Sequence, residues 1–320
     1  MSFSTTVKDE LSRHQSKARH CRMAELGAIL SIGARISDSL DTLEILSDHR
    51  ALVYKTEELL RDLFHIVPEV SRRCGRGGSR VRGYCLRLRD PQKIRRIFTE
   101  LGMLETNMLM PDQRLTRSCC RRAYLRGAFL AGGSINDPTK NYHIEILAGS
   151  PEQAGRLVSF FADFDVQCRL LSRSRAGSRR ITHVVYLKDA DQIVDVLRII
   201  KAPLALMELE NVRVEKDVIN HVQRQVNCEA ANISKIVGAS LKQTEAIRYL
   251  MEQGAYARLP QELKDIAEIR LSFPDMGLKE MGTLLDPAIS KSGVNHRLKK
   301  IEKIAQELKQ SRAEDENAHG

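Results

Sequence analysis

Between residues 291 and 303 the chain carries Lys291, Ser292, Asn295, His296, Arg297, Lys299, Lys300 and Lys303. Cations, amides and hydroxyls at helical spacing can neutralise phosphates and hydrogen-bond base edges. Two arginine-rich patches repeat the theme: Arg72, Arg73, Arg76, Arg80 and Arg82, then Arg173, Arg175, Arg179 and Arg180. The seven cysteines at 21, 74, 85, 119, 120, 168 and 228 are an odd number with no C-x-x-C pair. Neither a disulfide framework nor a zinc ribbon is indicated, and the thiols are expected to be reduced and structural, with no metal or cofactor. The adjacent Cys119 and Cys120 could respond to oxidants, but nothing in the sequence argues that they do.

The first set of residues needs a helix to carry it. Val294, Leu298, Ile301, Ala305 and Leu308 recur at steps of four, three, four and three, which lays one apolar stripe along a rod and leaves the cations on its far side. Upstream, Leu278, Met281 and Leu285 make a shorter stripe, interrupted at Asp286-Pro287 because proline lacks an N–H and disfavours helix at the residue before it. Ser290 is placed to accept a hydrogen bond from the first turn of the second helix. A short helix, a turn and a longer cationic helix is the helix-turn-helix plan, whose second helix reaches base edges with its first residues. An ordinary helical hairpin with a solvated lysine face has the same pattern, so the rest of the chain must decide.

A chain of 320 residues with 42% hydrophobic content has room for two or more domains, each with a core. Its formal net charge of +10 suits a polyanion as partner, although a ribosome-associated or membrane-surface protein would show the same balance. No apolar run is long enough to span a bilayer, and the opening MSFSTTVKDELSRH lacks a signal peptide's hydrophobic segment. The expected place is the cytoplasm, in association with the nucleoid, with no membrane partner.

Five blocks recur in one order at a separation near one hundred residues. CRMAELGAILSIGARIS from Cys21 answers CRRAYLRGAFLAGGSIN from Cys120, pairing Gly27 with Gly127 and Gly33 with Gly133 at an offset of 100. LEILS answers IEILA, and each is followed by a helical segment. The arginine patches answer each other, and LRLRD answers VYLKD. The expected unit is helix, strand, strand, helix, strand, strand, helix, present twice. Small residues at Gly27, Ala28, Ser31 and Ala34 and at Gly127, Ala128, Ala131 and Gly132 suit two helices crossing closely on a pseudo-twofold axis. The arginines fall at hairpins that could enter a major groove, or they are solvated loop charge.

At LRGAFLAGGS, residues 125 to 134, the chain resembles the LAGLIDADG homing-endonuclease fold, a saddle of two αββαββα units. The resemblance implies an acidic metal ligand at the eighth motif position of each central helix. Ile32 and Gly132 are read at those positions, neither can coordinate a hard cation, and cleavage is therefore not expected. Asp38 and Asp137 would substitute only if the helices ended early. The opening SFSTTVKDEL, the segment VNCEAAN at 226 to 232 and SKSGVNHRLKKI at 290 to 301 extend the likeness, and the whole resembles the WhiA family of bacterial regulators.

That likeness implies a non-enzymatic, sequence-specific DNA-binding transcriptional regulator linked to sporulation, cell division or chromosome segregation. Double-stranded DNA is its expected partner, with RNA polymerase or another regulator as a further one. A metal-dependent endonuclease and a nucleoid or RNA-binding scaffold are the alternatives. The expected fold is α+β: a duplicated saddle over 1–212 (repeats about 20–110 and 119–212), a helical linker over 213–256, a helix-turn-helix domain over 257–310 and a disordered tail over 311–320. Within the linker a bridging helix and a helical pair are expected, with Asn220, Asn227 and Asn232 as helix caps or phosphate contacts, caps being the safer reading.

Overall fold

The duplicated pattern folds as two copies of one unit. The computed structural model describes the backbone of residues 2–74, 81–174 and 181–318, and the side chains of these except 174 and 312–318. A helix the sequence reading does not contain, α1 (Phe3–Arg13), comes first. The first copy is α2 (Arg19–Gly33), β1 (Ala34–Ile36), β2 (Leu43–Ser47), α3 (Arg50–Phe64), β3 (Glu69–Cys74), β4 (Val81–Leu88) and α4 (Pro91–Leu101). The second is α5 (Ser118–Gly132), β5 (Gly133–Ile135), β6 (Ile144–Ala148), α6 (Pro151–Ala162), β7 (Arg169–Ser174), β8 (Ile181–Leu187) and α7 (Ala190–Ile200). The sheets are antiparallel, with strand orders β1-β2-β4-β3 and β5-β6-β8-β7.

Local chemistry sets the boundaries. Asp90, Ser150 and Asp189 each accept a backbone N–H from the first turn of the helix they precede, and proline follows the first two at a position where its missing N–H costs nothing. Strand alternation turns Leu43, Ile45, Leu86 and Leu88 toward the helices, as it does Ile144, Ile146, Val185 and Leu187, so both sheets feed one apolar core. Phe3, Val7 and Leu11 of α1, spaced by four, close that core.

Helices α2 and α5 pack against each other along their lengths. A Cβ on Gly127 would stand 2.3 Å from the carbonyl oxygen of Glu25, so only glycine permits this approach. Gly27 faces Met110 instead, where a Cβ would meet the thioether sulfur at 2.9 Å. The equivalence of the copies also differs from the sequence reading. Gly33 abuts Ala131, and Gly132 abuts Ile32. That reciprocal contact pairs Gly33 with Gly132 and Ile32 with Ala131, an offset of 99, as the bounds of α2 and α5 also require. A helix has no room for a one-residue gap, so the residue of the first copy equivalent to Gly132 is Gly33, where the sequence pairs it with Ile32.

Pro203–Glu252 is one helix, α8, where a bridging helix and a helical pair were expected. Glu10 holds its start: the two carboxylate oxygens accept the backbone N–H groups of Leu204 at 2.8 Å and Ala205 at 3.0 Å. Asn220, Asn227 and Asn232 are mid-helix and exposed and cap nothing. Asn227 accepts from Gln223 at 2.9 Å, one turn back. The chain divides into two compact units, Met1–Lys216 and Asp217–Gly320, and the helical linker expected over 213–256 falls largely on α8, which crosses the division.

In the second unit the end of α8 joins α9 (Gln261–Ser272), α10 (Leu278–Thr283) and α11 (Lys291–Ala318) around a smaller core. Helix α11 continues through residues 311 to 318, where a disordered tail was expected. Among the described residues no helix is long and apolar enough to cross a membrane.

Candidate nucleic-acid interface and a cysteine–histidine cluster

Val294, Leu298, Ile301 and Ala305 are buried against α9 and α10, which fixes the rotation of α11. The Ser290 hydroxyl accepts the Gly293 N–H at 3.3 Å and starts the helix. The turn before it is held by the backbone: Ile289 N–H donates to the Gly282 carbonyl at 3.0 Å, and a Cβ on Gly282 would lie 2.3 Å from the Ile289 carbonyl oxygen. Arg270 of α9 is buried and donates to the carbonyls of Pro274 at 3.1 Å and Met276 at 3.0 Å, tying down the loop that leads into α10. Burial draws its pKa below the ordinary arginine value.

With the helix rotated this way, Ser292, Asn295, His296, Lys299, Lys300 and Lys303 line one open face of α11, bordered by Ile304 and Glu307. Lys291 and Asn295 also border a groove with Lys235 of α8 and Lys279 of α10. These last two cations are exposed and were missed in the sequence, because neither falls within the recognition-helix pattern and only the fold brings them beside it. Arg297 differs from its neighbours. Its guanidinium lies 3.2 Å from the Glu262 carboxylate and is largely covered, so it braces α11 on α9. Lys303 has Glu307 at 3.6 Å one turn on, an exposed pair of little energetic weight.

The saddle arginines are more dispersed than the sequence suggests. Arg73 pairs in register with Gly83 and lies on the outer sheet face, whereas Arg72, opposite Tyr84, falls on the other face by strand alternation. Arg82 sits at a register shift beside Cys74 and is exposed. Arg173 lies on the outer face of the second sheet, 3.7 Å from Glu145. Arg87 on the outer face of the first is held by Glu44 at 2.6 Å. Acids at matching places thus offset part of the positive charge. Arg76, Arg80, Arg175, Arg179 and Arg180 lie outside the described residues.

At the ends of α2 and α5 stand Gly33 and Gly132, neither with a donor atom, so no metal-binding acid lies at the equivalent ends of the two helices. Both helices run their full length into a strand, so Asp38 and Asp137 lie beyond β1 and β5 in turns. Asp137 accepts from the backbone N–H and hydroxyl of Thr139 at 2.9 and 2.6 Å.

The opposite ends of the same two helices bring together residues that the sequence separates by about a hundred positions. The ligand atoms of His20, Cys21, Cys119 and Cys120 all lie within 4.8 Å of one another, and they are the one such His/Cys/Asp/Glu group among the described residues. His20 Nδ1 is 3.2 Å from Cys120 Sγ and 3.3 Å from Cys21 Sγ. Burial, reinforced by the neighbouring thiols, pushes Cys21 up to about 12, and burial also raises Cys120. Nearby, a buried bidentate pair joins the helices: Arg126 Nε and a terminal nitrogen donate to Glu25 at 3.1 and 2.7 Å, and that nitrogen also donates to Ser16 at 2.8 Å.

Comparison with known proteins agrees with this architecture. The family model described as the WhiA C-terminal HTH domain matches residues 222–305, and that of the WhiA LAGLIDADG-like domain matches residues 121–219. The crystal structure of full-length DUF199/WhiA from Thermotoga maritima shares the fold, with a TM-score of 0.59 at 23% identity over 96% of this chain and 99% of that one. Two curated relatives carry the name "Probable cell division protein WhiA". The one from Thermoanaerobacter sp. (strain X514) is 39% identical over 98% of this chain and 100% of its own length. That from Alkaliphilus oremlandii is 40% identical over 98% and 99%. Likeness of this extent, running through both the duplicated saddle and the terminal helices, shows that the chain belongs to the WhiA family.

Proposed function

We propose that the protein is a sequence-specific DNA-binding transcriptional regulator that acts in cell division, with α11 as its recognition helix. One observation carries this reading: packing of Val294, Leu298, Ile301 and Ala305 leaves Ser292, Asn295, His296, Lys299, Lys300 and Lys303 together on one open face. In a helix-turn-helix, the N-terminal part of the second helix meets base edges and the first helix crosses the backbone. Lys291, Ser292, Asn295, His296 and Lys299 take the base-reading positions. Lys300 and Lys303, with Lys235 and Lys279, are placed for phosphates, and Arg297 supports the helix.

The relatives' names support a role in cell division. A link to sporulation and chromosome segregation, an RNA polymerase partner and a place on the nucleoid follow from the family likeness noted in the sequence. The saddle acts without catalysis, since glycines stand where metal-binding acids would be needed for phosphodiester cleavage. Its exposed Arg72, Arg73, Arg82 and Arg173, with the arginines outside the described residues, add sequence-independent phosphate contacts.

Mapping bound sites across the genome of the source bacterium, followed by anisotropy titration with a recovered site, tests the proposal. Binding should prefer that site over scrambled duplex and weaken steeply with salt. Equal affinity for both, or none at modest ionic strength, would overturn it. Supercoiled plasmid incubated with magnesium should remain intact, and nicking would favour the nuclease reading.

A further inference from the structure

The four side chains at the start of α2 and α5 have a composition and spacing that the DNA-binding role does not use. Three thiols and an imidazole form the donor set of a tetrahedral Cys3His site, and soft sulfur ligands select zinc over hard cations. With Zn–S near 2.3 Å and Zn–N near 2.0–2.1 Å, the edges of such a tetrahedron are about 3.5–3.8 Å. The His20 Nδ1 edges of 3.2 and 3.3 Å are already that short. All the others fall within 4.8 Å, so the widest pair closes by about 1 Å as the ion enters.

Burial disfavours free thiolates here, so the divalent ion itself must supply most of the compensating charge, with help from the helix ends. His20 and Cys21 occupy the first turn of α2, and Cys119 and Cys120 the first turn of α5, where the helix N-terminus favours negative charge. Neither helix has a side-chain N-cap, and the first-turn N–H groups that the Ala18 and Arg117 carbonyls do not take remain to donate to sulfur. Three thiolates around a divalent ion leave one negative charge. Lys17, Arg122 and Lys201 border the adjoining concavity with Cys21 and Cys119 and offset it. Arg117 approaches His20 Nε2 at 3.4 Å. Ligation through Nδ1 makes Nε2 a donor, so this exposed guanidinium turns away on loading.

The geometry points to a zinc site formed by His20, Cys21, Cys119 and Cys120 that clamps the two halves of the duplicated domain together. Each copy contributes two ligands, so neither copy holds the ion alone. On binding, each of the three thiols releases a proton to solvent and no redox change occurs. The site lies at the opposite helix ends from Gly33 and Gly132 and gives no cleavage chemistry; its four ligands leave no open position for substrate.

Cobalt(II) titration of the reduced full-length chain, after chelation and buffer exchange, tests this. One equivalent should bind with the thiolate charge-transfer and intense d–d absorption of tetrahedral cobalt, and zinc should bleach it stoichiometrically. Cys119 and His20 are exposed, so Cys119→Ser and His20→Ala should fold with the wild-type melting temperature in chelator. Each should weaken binding by at least about tenfold, while Cys228→Ser leaves it unchanged. Zinc should raise the melting temperature of the wild type and not that of Cys119→Ser.

Absence of the tetrahedral spectrum would overturn the site, as would binding undiminished in Cys119→Ser. Loss of two thiols to a disulfide on air oxidation, in a reduced protein that takes up no cobalt, would assign the cluster to redox chemistry instead. Because DNA affinity is not the readout, failure here leaves the α11 proposal standing.

Discussion

At the residue scale, three buried positions set stability: the ion pair at the α2–α5 crossing, a lysine on α1 and a glycine in the turn before α11. Glu25 and Arg126 are fully buried and satisfy each other, so removing one leaves an uncompensated charge. Arg126→Ala should lower the unfolding free energy by about 3–5 kcal/mol in urea denaturation, while a paired Glu25→Leu/Arg126→Met replacement should recover most of that loss. Lys8 is buried on α1, and desolvation lowers its pKa from 10.5 to about 8. Between those values the unfolded chain holds more protons, so stability rises with pH across the window, and below about 8 the full cost is present. Lys8→Met should therefore stabilise the protein at pH 7 by on the order of 2 kcal/mol, with the gain shrinking toward pH 10.5 in melting curves. In the second unit, Gly282→Ala would force a Cβ against the Ile289 carbonyl and should cost about 1–3 kcal/mol, read as a lower melting temperature with reduced DNA affinity.

At the scale of the element, the two faces of α11 separate binding from folding. Replacing Lys291, Asn295 and Lys299 together by alanine should reduce specific DNA affinity at least about tenfold with little change in melting temperature, given about 1–3 kcal/mol for each good base contact. Arg297→Ala should act through α9 packing, so its loss of affinity should track a loss of stability. The face of α11 was legible because four apolar residues at helical spacing fix its rotation whatever they pack against. The position of Arg297 was not, because it is set by Glu262 on another helix, and no spacing rule reaches across 35 residues of sequence. Helix α8 shows the opposite limit. Asn227 and Asn232 have the residue type of caps, but a run of helix-compatible neighbours on both sides lets the helix continue through them.

At the scale of the molecule, each unit has its own core, and the division at Lys216 is physical rather than notional. Arg213 pairs with Asp191 at 2.5 Å, and Lys216 donates to the Pro138 carbonyl at 2.6 Å and lies 4.8 Å from the Tyr142 ring centroid. A chain ending after residue 216 should keep these contacts and unfold in one cooperative transition. One ending after Glu210 should fold but melt lower, which differential scanning calorimetry of the two fragments would show.

The sequence by itself determined what local spacing and self-similarity encode. The doubled αββαββα order and the apolar stripe of α11 follow from periodicities of 2 and 3.6 and a separation near one hundred residues, while the helix-turn-helix and the absence of acids at the motif ends rested on the family likeness. Tertiary structure decided that the glycines of the two central helices correspond at an offset of 99 rather than 100, because a packed helix pair admits no one-residue gap. It also brought His20 and Cys21 beside Cys119 and Cys120, since ligands from two helices meet only after the copies cross, and it divided the arginines between the two faces of each sheet. Spacing along the chain fixes which face of an element is buried; which elements face each other is a property of the assembled core.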